Sequence, residues 1–188
     1  KQFGLPVVVA INKFDEDTDS ELMIVESACR ELGAEFEISR AFAEGGEGAV
    51  ALAEKVIKAA ESESEFKLLY PDDMPVTEKI KSIAIKIYGA SGVDYSSAAL
   101  KSIQKIESMG YGNLPICVAK TQYSLSDNPK LTGRPSGFNI SVKQVRLSAG
   151  AGFIVVYCGD IMTMPGLPKN PSAAGIDIDE NSKISGLF

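Results

Sequence analysis

Residues 5–11, Leu-Pro-Val-Val-Val-Ala-Ile, form an apolar run dominated by β-branched side chains and broken off at once by Asn12 and Lys13. Such a run predicts a strand buried on both faces in a parallel sheet, because only there does every side chain, rather than every second one, lie against other elements. A parallel strand needs a crossover, and the next residues supply one. Thr18 and Glu21 have capping-box spacing, and Leu22, Val25, Cys29 and Leu32 recur at intervals of three and four up to the stop at Gly33. Phe36 to Ser39 reads as the second strand. Gly45-Gly46-Glu47-Gly48 is a loop, and Val50, Ala53, Val56, Ile57 and Ala60 form the stripe of a further helix. The β-α-β order predicts a wound α/β layer.

Ser62 to Glu65 is a polar stretch that suits a linker, and 71–75 (Pro-Asp-Asp-Met-Pro) is a second break, with Phe66 to Tyr70 extended between them. Helices are predicted over 76–88 and 96–109, closed by Gly89 and Gly110. Strands follow at Ile116 to Ala119, Ile140 to Leu147 and Phe153 to Cys158. The alternation of Ile140, Val142, Val145 and Leu147 slips by one at Lys143-Gln144, which predicts a β-bulge. The last thirty residues have little periodicity and read as lying along a surface. The fold class is therefore α/β, with a first domain over 1–62 and a mixed helical and strand domain over 63–188.

Several function classes fall away on residue type. The chain has no histidine, so no Ser-His-Asp triad, Cys-His pair or His-based zinc site arises within it. Its formal charge of −6 argues against nucleic acid as a partner. No apolar run is long enough to span a bilayer, so no membrane role is expected. Cys29, Cys117 and Cys158 are widely spaced and odd in number, and read as buried free thiols of a cytoplasmic protein, with no metal site.

Four stretches carry candidate chemistry. Asn12-Lys13-Phe14-Asp15 stands at the carboxyl end of the first strand, where ligands bind in open α/β sheets; its N-K-x-D spacing is also the base-reading motif of P-loop GTPases. The segment from Ile38 to Gly48 follows the adjacent parallel strand and should emerge on the same edge, so Phe14, Ile38 and Phe42 are candidate walls for a flat ring. Its glycines suit anion binding through backbone N–H groups, although no G-x-x-x-x-G-K-[ST] pattern occurs in the chain. Lys120 to Asp127 opens a strand into a polar loop, with Lys120 available to a phosphate or carboxylate and Asp127 to an amine. Met162 to Lys169 is stiffened by Pro165 and Pro168 and suits the wall of a cleft or interface.

Taken together, LPVVVAINKFDEDTDSE at 5–21, AEGGEGA at 43–49, KIYGA at 86–90, GYGNLPICVAKTQYSLSDNP at 110–129, SAGAGFIVVYCGDIMTMPGLPKNP at 148–171 and the terminal Gly186-Leu187-Phe188 resemble the carboxyl-terminal portion of the formate–tetrahydrofolate ligase family. The resemblance implies an ATP-dependent ligation in which formate becomes formyl phosphate and N10 of tetrahydrofolate attacks it. It implies ATP with Mg²⁺, formate and tetrahydrofolate as substrates, a cytoplasmic homotetramer, and an amino-terminal P-loop portion to which nothing in 1–188 corresponds. It places Phe14 and Ile38 on the nucleotide and folate ring pocket, with Phe42 where members often carry Trp; Asn12 and Asp15 of the N-K-x-D motif join them as nucleotide- or folate-binding candidates, without guanine reading, since the family uses ATP. It assigns no catalytic residue to this chain, which is expected to complete a P-loop NTPase-like sheet and to be inactive alone. The alternative is a non-catalytic binding or subunit-assembly module. A GTPase fragment is disfavoured because nothing after Gly48 carries GTPase landmarks.

Overall fold

The structure is a computed structural model that describes residues 1–161 and 169–186. In the first part of the chain, β1 (Val8–Asn12), α1 (Asp19–Glu31) and β2 (Glu35–Ser39) form the expected crossover, with β1 and β2 parallel and Ile11 in register with Ile38. A short helix α2 (Ala41–Glu44) and a turn of 3₁₀ helix at Glu47–Ala49 lead into α3 (Val50–Glu61), which packs on β2 and β1. Thr18 caps α1 as its spacing predicts: its side chain accepts from the Glu21 amide, and the Glu21 carboxylate accepts from the Thr18 amide at 2.9 Å.

One expectation is corrected here. The run from Leu5 to Ile11 is not buried on both faces. Leu5 is 44% exposed, and Val8, Val9 and Ile11 are only half-buried. The physical reason is that β1 has a single hydrogen-bonded neighbour, β2, in a two-stranded sheet. Apolar residues of α1 (Met23, Ile24), its C-cap Leu32 and apolar residues of α3 (Val56, Ile57) are likewise exposed.

The segment after α3 returns toward the start of the chain: the amides of Glu65 and Lys67 donate to the carbonyls of Gly4 and Phe3. Beyond it come α4 (Val76–Lys86), β3 (Gly92–Tyr95), α5 (Ser97–Ser108), β4 (Ile116–Ala119), β5 (Asn139–Ser148) and β6 (Phe153–Cys158). Their sheet has the order β3-β5-β6-β4, parallel at both outer pairs and antiparallel between β5 and β6. The register slips between Val142 and Gln144, which is the bulge the broken alternation predicts.

Val76, Ile80 and Ala84 of α4 and Ala99, Ile103 and Ile106 of α5 close over Ile140, Val142, Val145, Ile154, Val156 and Cys158 to make the core. Two corrections belong to this sheet. β3 has no counterpart among the predicted strands, because four residues holding one Gly and one Asp leave no alternation to read. Cys117 is exposed rather than buried, since β4 is an edge strand and Cys117 stands on the sheet face opposite Val118. Cys29 and Cys158 are buried free thiols as expected. The tail adds a small hairpin of β7 (Asp177–Ile178) and β8 (Ile184–Ser185). Met162 to Pro168 and the terminal Leu187-Phe188 lie outside the described residues. Among the described residues no helix is long and apolar enough to cross a membrane.

Candidate functional site

The carboxyl ends of β1 and β2 bring two loops together. The ladder runs past both strands, with the Lys13 amide donating to the Ser39 carbonyl at 2.9 Å. On the first loop Phe14 is held by a turn: its amide donates to Asp17 Oδ2 at 2.7 Å and its carbonyl accepts from the Asp17 amide at 3.1 Å. On the second, Arg40 is clamped between the chain's own turns. Its amide donates to the Gly48 carbonyl at 2.9 Å and its carbonyl accepts from the amides of Ala43 and Glu44.

Gly48 is needed there because a Cβ would lie 2.6 Å from the carbonyl carbon and oxygen of Arg40. This close approach folds 41–44 into the turn of helix that carries Phe42. The outcome is an aromatic pair: the Phe14 and Phe42 ring centroids are 5.3 Å apart with planes inclined by 58°. Phe14 is 46% and Phe42 70% exposed, so the rings meet each other but are not in the core. Two tilted rings open to solvent present apolar faces and edges to a planar ligand.

Of the other candidates, Ile38 is half-buried on β2 directly before Ser39, which is buried. Asn12, the last residue of β1, and Asp15 on the Phe14 loop are exposed, and neither side chain makes a hydrogen bond among the described residues. Lys13 lies 3.8 Å from the exposed Asp19, a surface ion pair of little energetic weight. β2 is pinned from its other side by Lys55 of α3, whose ammonium donates to the Phe36 carbonyl, lies over the Phe36 ring and pairs with Glu37 at 3.2 Å. The Lys55 hydrogen bond, and then the Ile38 amide, hold the Glu37 carboxyl below its ordinary range.

The Lys120 loop resolves differently. The Lys120 ammonium donates to the carbonyls of Thr121, Ser124 and Ser126 and lies 4.9 Å above the Tyr88 ring. Its three N–H donors thus have protein acceptors, and burial lowers its pKa. Asp127 accepts from the Ser141 amide at 2.7 Å, and Asn128 closes an Asx turn onto the Lys130 amide. This loop is organised from within.

Lys79 is the polar residue that periodicity passes over. It sits on the apolar stripe of α4 beside Val76 and Ile80, has no exposed surface, and donates to the carbonyls of Gly112 (2.8 Å) and Leu114 (3.2 Å). The signal available in sequence was a lysine inside a hydrophobic stripe. Among the described residues no three His, Cys, Asp or Glu side chains gather into a group that could hold a metal ion.

The family model described as formate–tetrahydrofolate ligase matches residues 1–188 of the chain.

Proposed function

Since the chain belongs to the formate–tetrahydrofolate ligase family, we propose that its part in the ATP-dependent joining of formate to tetrahydrofolate is to hold the flat rings of the substrates. The observation that carries this reading is the solvent-open approach of Phe14 to Phe42 at 5.3 Å. It stands at the strand ends where an α/β sheet receives ligands. Phe14 and Phe42 grip the pterin or adenine ring by stacking and edge contact, and Ile38 supplies the apolar floor. Asn12 and Asp15, exposed and without partners among the described residues, offer an amide and a carboxylate to the polar edge of that ring.

In this reading formate is activated as formyl phosphate and N10 of tetrahydrofolate displaces the phosphate. The phosphoryl-transfer step needs a phosphate cradle and Mg²⁺. The chain contains no Walker A pattern, and among its described residues no three His, Cys, Asp or Glu side chains gather into a group that could hold a metal ion. Residues 1–62 then complete a P-loop-type sheet carried by an amino-terminal portion, and 63–188 form the accompanying domain. The exposed edges of β1 and β2 and the exposed apolar residues of α1 and α3 support such a larger sheet or a homo-oligomer.

The test is catalytic. The 188 residues alone are expected to show no ATP turnover with formate and tetrahydrofolate, and the complete ligase is expected to lose tetrahydrofolate affinity when Phe14 or Phe42 is cut to Ala. ATP turnover by the 188 residues alone contradicts the division of labour.

A further inference from the structure

The charges of the chain are segregated. Residues 1–75 carry 17 Asp and Glu against 7 Lys and Arg, whereas 76–161 carry 5 against 10, and no acid occurs between Asn128 and Gly159. Within this basic part, a cleft of about 640 Å³ is lined by Lys143, Gln144, Arg146, Tyr157, Gly159, Asp160 and Ile161.

The bulge in β5 builds it. Val142 and Val145 are buried, so a regular strand would turn one of the two residues between them inward. With the register slipped, Lys143 and Gln144 are both exposed in succession. The bulge is fixed from α5: Ser96, which caps that helix by accepting from the Ala99 amide, donates its hydroxyl to the Lys143 carbonyl at 2.8 Å. Across the ladder Gln144 faces Tyr157, and the Arg146 guanidinium lies 5.6 Å from the Tyr157 ring centroid, a cation–π approach that holds it beside the cleft wall. The far wall is equally set, because the Gly159 amide donates to the Ser141 carbonyl and a Cβ on Gly159 would meet the Asp127 carbonyl oxygen at 2.8 Å. Among the described residues, the side chains of Lys143, Gln144, Arg146 and Tyr157 have neither a hydrogen-bond partner nor an ion-pair partner.

We propose that this cleft binds a small phosphate ester that carries a hydroxyl group near its phosphate. Arg146 takes the phosphate by its planar fork and Lys143 adds the second charge. Gln144 and the Tyr157 hydroxyl donate to the remaining oxygens. Asp160, the one acid in the lining, accepts from the ligand hydroxyl. None of these residues belongs to the Phe14–Phe42 site, so the proposal stands or falls apart from the ligase reading.

Ribose 5-phosphate and inorganic phosphate are the probes, titrated calorimetrically into the full chain at constant ionic strength. The expected result is one saturable site for ribose 5-phosphate. Arg146→Gln should weaken it by about tenfold or more and Lys143→Gln by several-fold, while Lys101→Gln, a charge removed elsewhere on the basic part, should leave it unchanged. Asp160→Asn should bring ribose 5-phosphate down to the affinity of inorganic phosphate. If Arg146→Gln fails to fold, the exposed Lys143 decides. Wild-type affinity in Lys143→Gln, an equal loss in Lys101→Gln, or equal binding of the two probes by the unaltered chain overturns the proposal.

Discussion

The ring centroids of Phe14 and Phe42 stand 5.3 Å apart although the two residues are 28 positions apart in sequence, and both rings are exposed to solvent. An aromatic pair adds about 0.5–1.5 kcal/mol beyond its buried area. Placed on the surface, this pair contributes less to stability than a core pair and leaves its faces free for a ligand. In the complete ligase Phe42→Trp is therefore expected to keep tetrahydrofolate affinity within about threefold of the parent, and Phe42→Leu, which retains bulk but not the π face, to lower it roughly tenfold. Equal affinity in the Leu and Trp variants would remove stacking as the mode of binding.

Gly48→Ala probes the clamp that positions Phe42. The new methyl meets backbone, which cannot swing aside as a flexible side chain does. The expected cost is about 1–3 kcal/mol in urea unfolding, together with a raised KM for tetrahydrofolate as the 40–48 turn shifts. An unchanged KM would show that the turn does not place the ring.

Lys79→Met removes the buried ammonium but keeps most of the side-chain volume. The Gly112 and Leu114 carbonyls then lose a charged donor, and the loss is expected to be about 1–3 kcal/mol, read as a lower urea midpoint at unchanged slope. A midpoint equal to that of the parent would mean that the two carbonyls find other donors.

The acid limb of stability should report two surface carboxylates. Glu37 is held low first by Lys55, and Glu21 first by the Thr18 amide and then by the Thr18 hydroxyl. Each binds its proton less readily in the native chain than in the unfolded one. Their contribution is therefore complete above the ordinary carboxylate value of 4.5 and disappears as pH falls through their lowered native values. Urea midpoints measured downward from about pH 6 should fall in that window, and less steeply in a Lys55→Gln, Thr18→Ala double variant. Parallel profiles for parent and variant would contradict the assignment.

Thiol chemistry should separate the cysteines. Burial pushes the Cys158 thiol up to about 12, with Asp127 adding to the rise and Lys120 opposing it, and Cys29 is buried as well. Iodoacetamide near pH 8 should modify Cys117 in the folded chain, and Cys29 and Cys158 only after denaturation. Modification of Cys158 under native conditions would show that the core over β6 opens.

How much of this was legible beforehand depended on how local the cause was. The Thr18 cap, the crossover to Ser39 and the slip at Lys143-Gln144 are written in neighbouring residues, and the structure reproduces them. Burial of Leu5 to Ile11 was not, because it depends on a second strand neighbour that β1 lacks within this chain. The meeting of Phe14 with Phe42 followed from placing two parallel strand ends side by side, but Gly48 as its clamp is visible only from the distance to Arg40. Lys120 shows the opposite failure: a free-looking cation at a strand end is enclosed by carbonyls of its own loop. Residue type alone does not tell an available charge from one already hydrogen-bonded.

The most direct test of the ring-binding reading is equilibrium binding of tetrahydrofolate to the complete ligase carrying Phe14→Ala, Phe42→Ala, or both. The reading predicts at least about tenfold weaker binding in each single variant, non-additive loss in the double variant and an unchanged thermal midpoint. Parental affinity for both tetrahydrofolate and ATP in the double variant would contradict it.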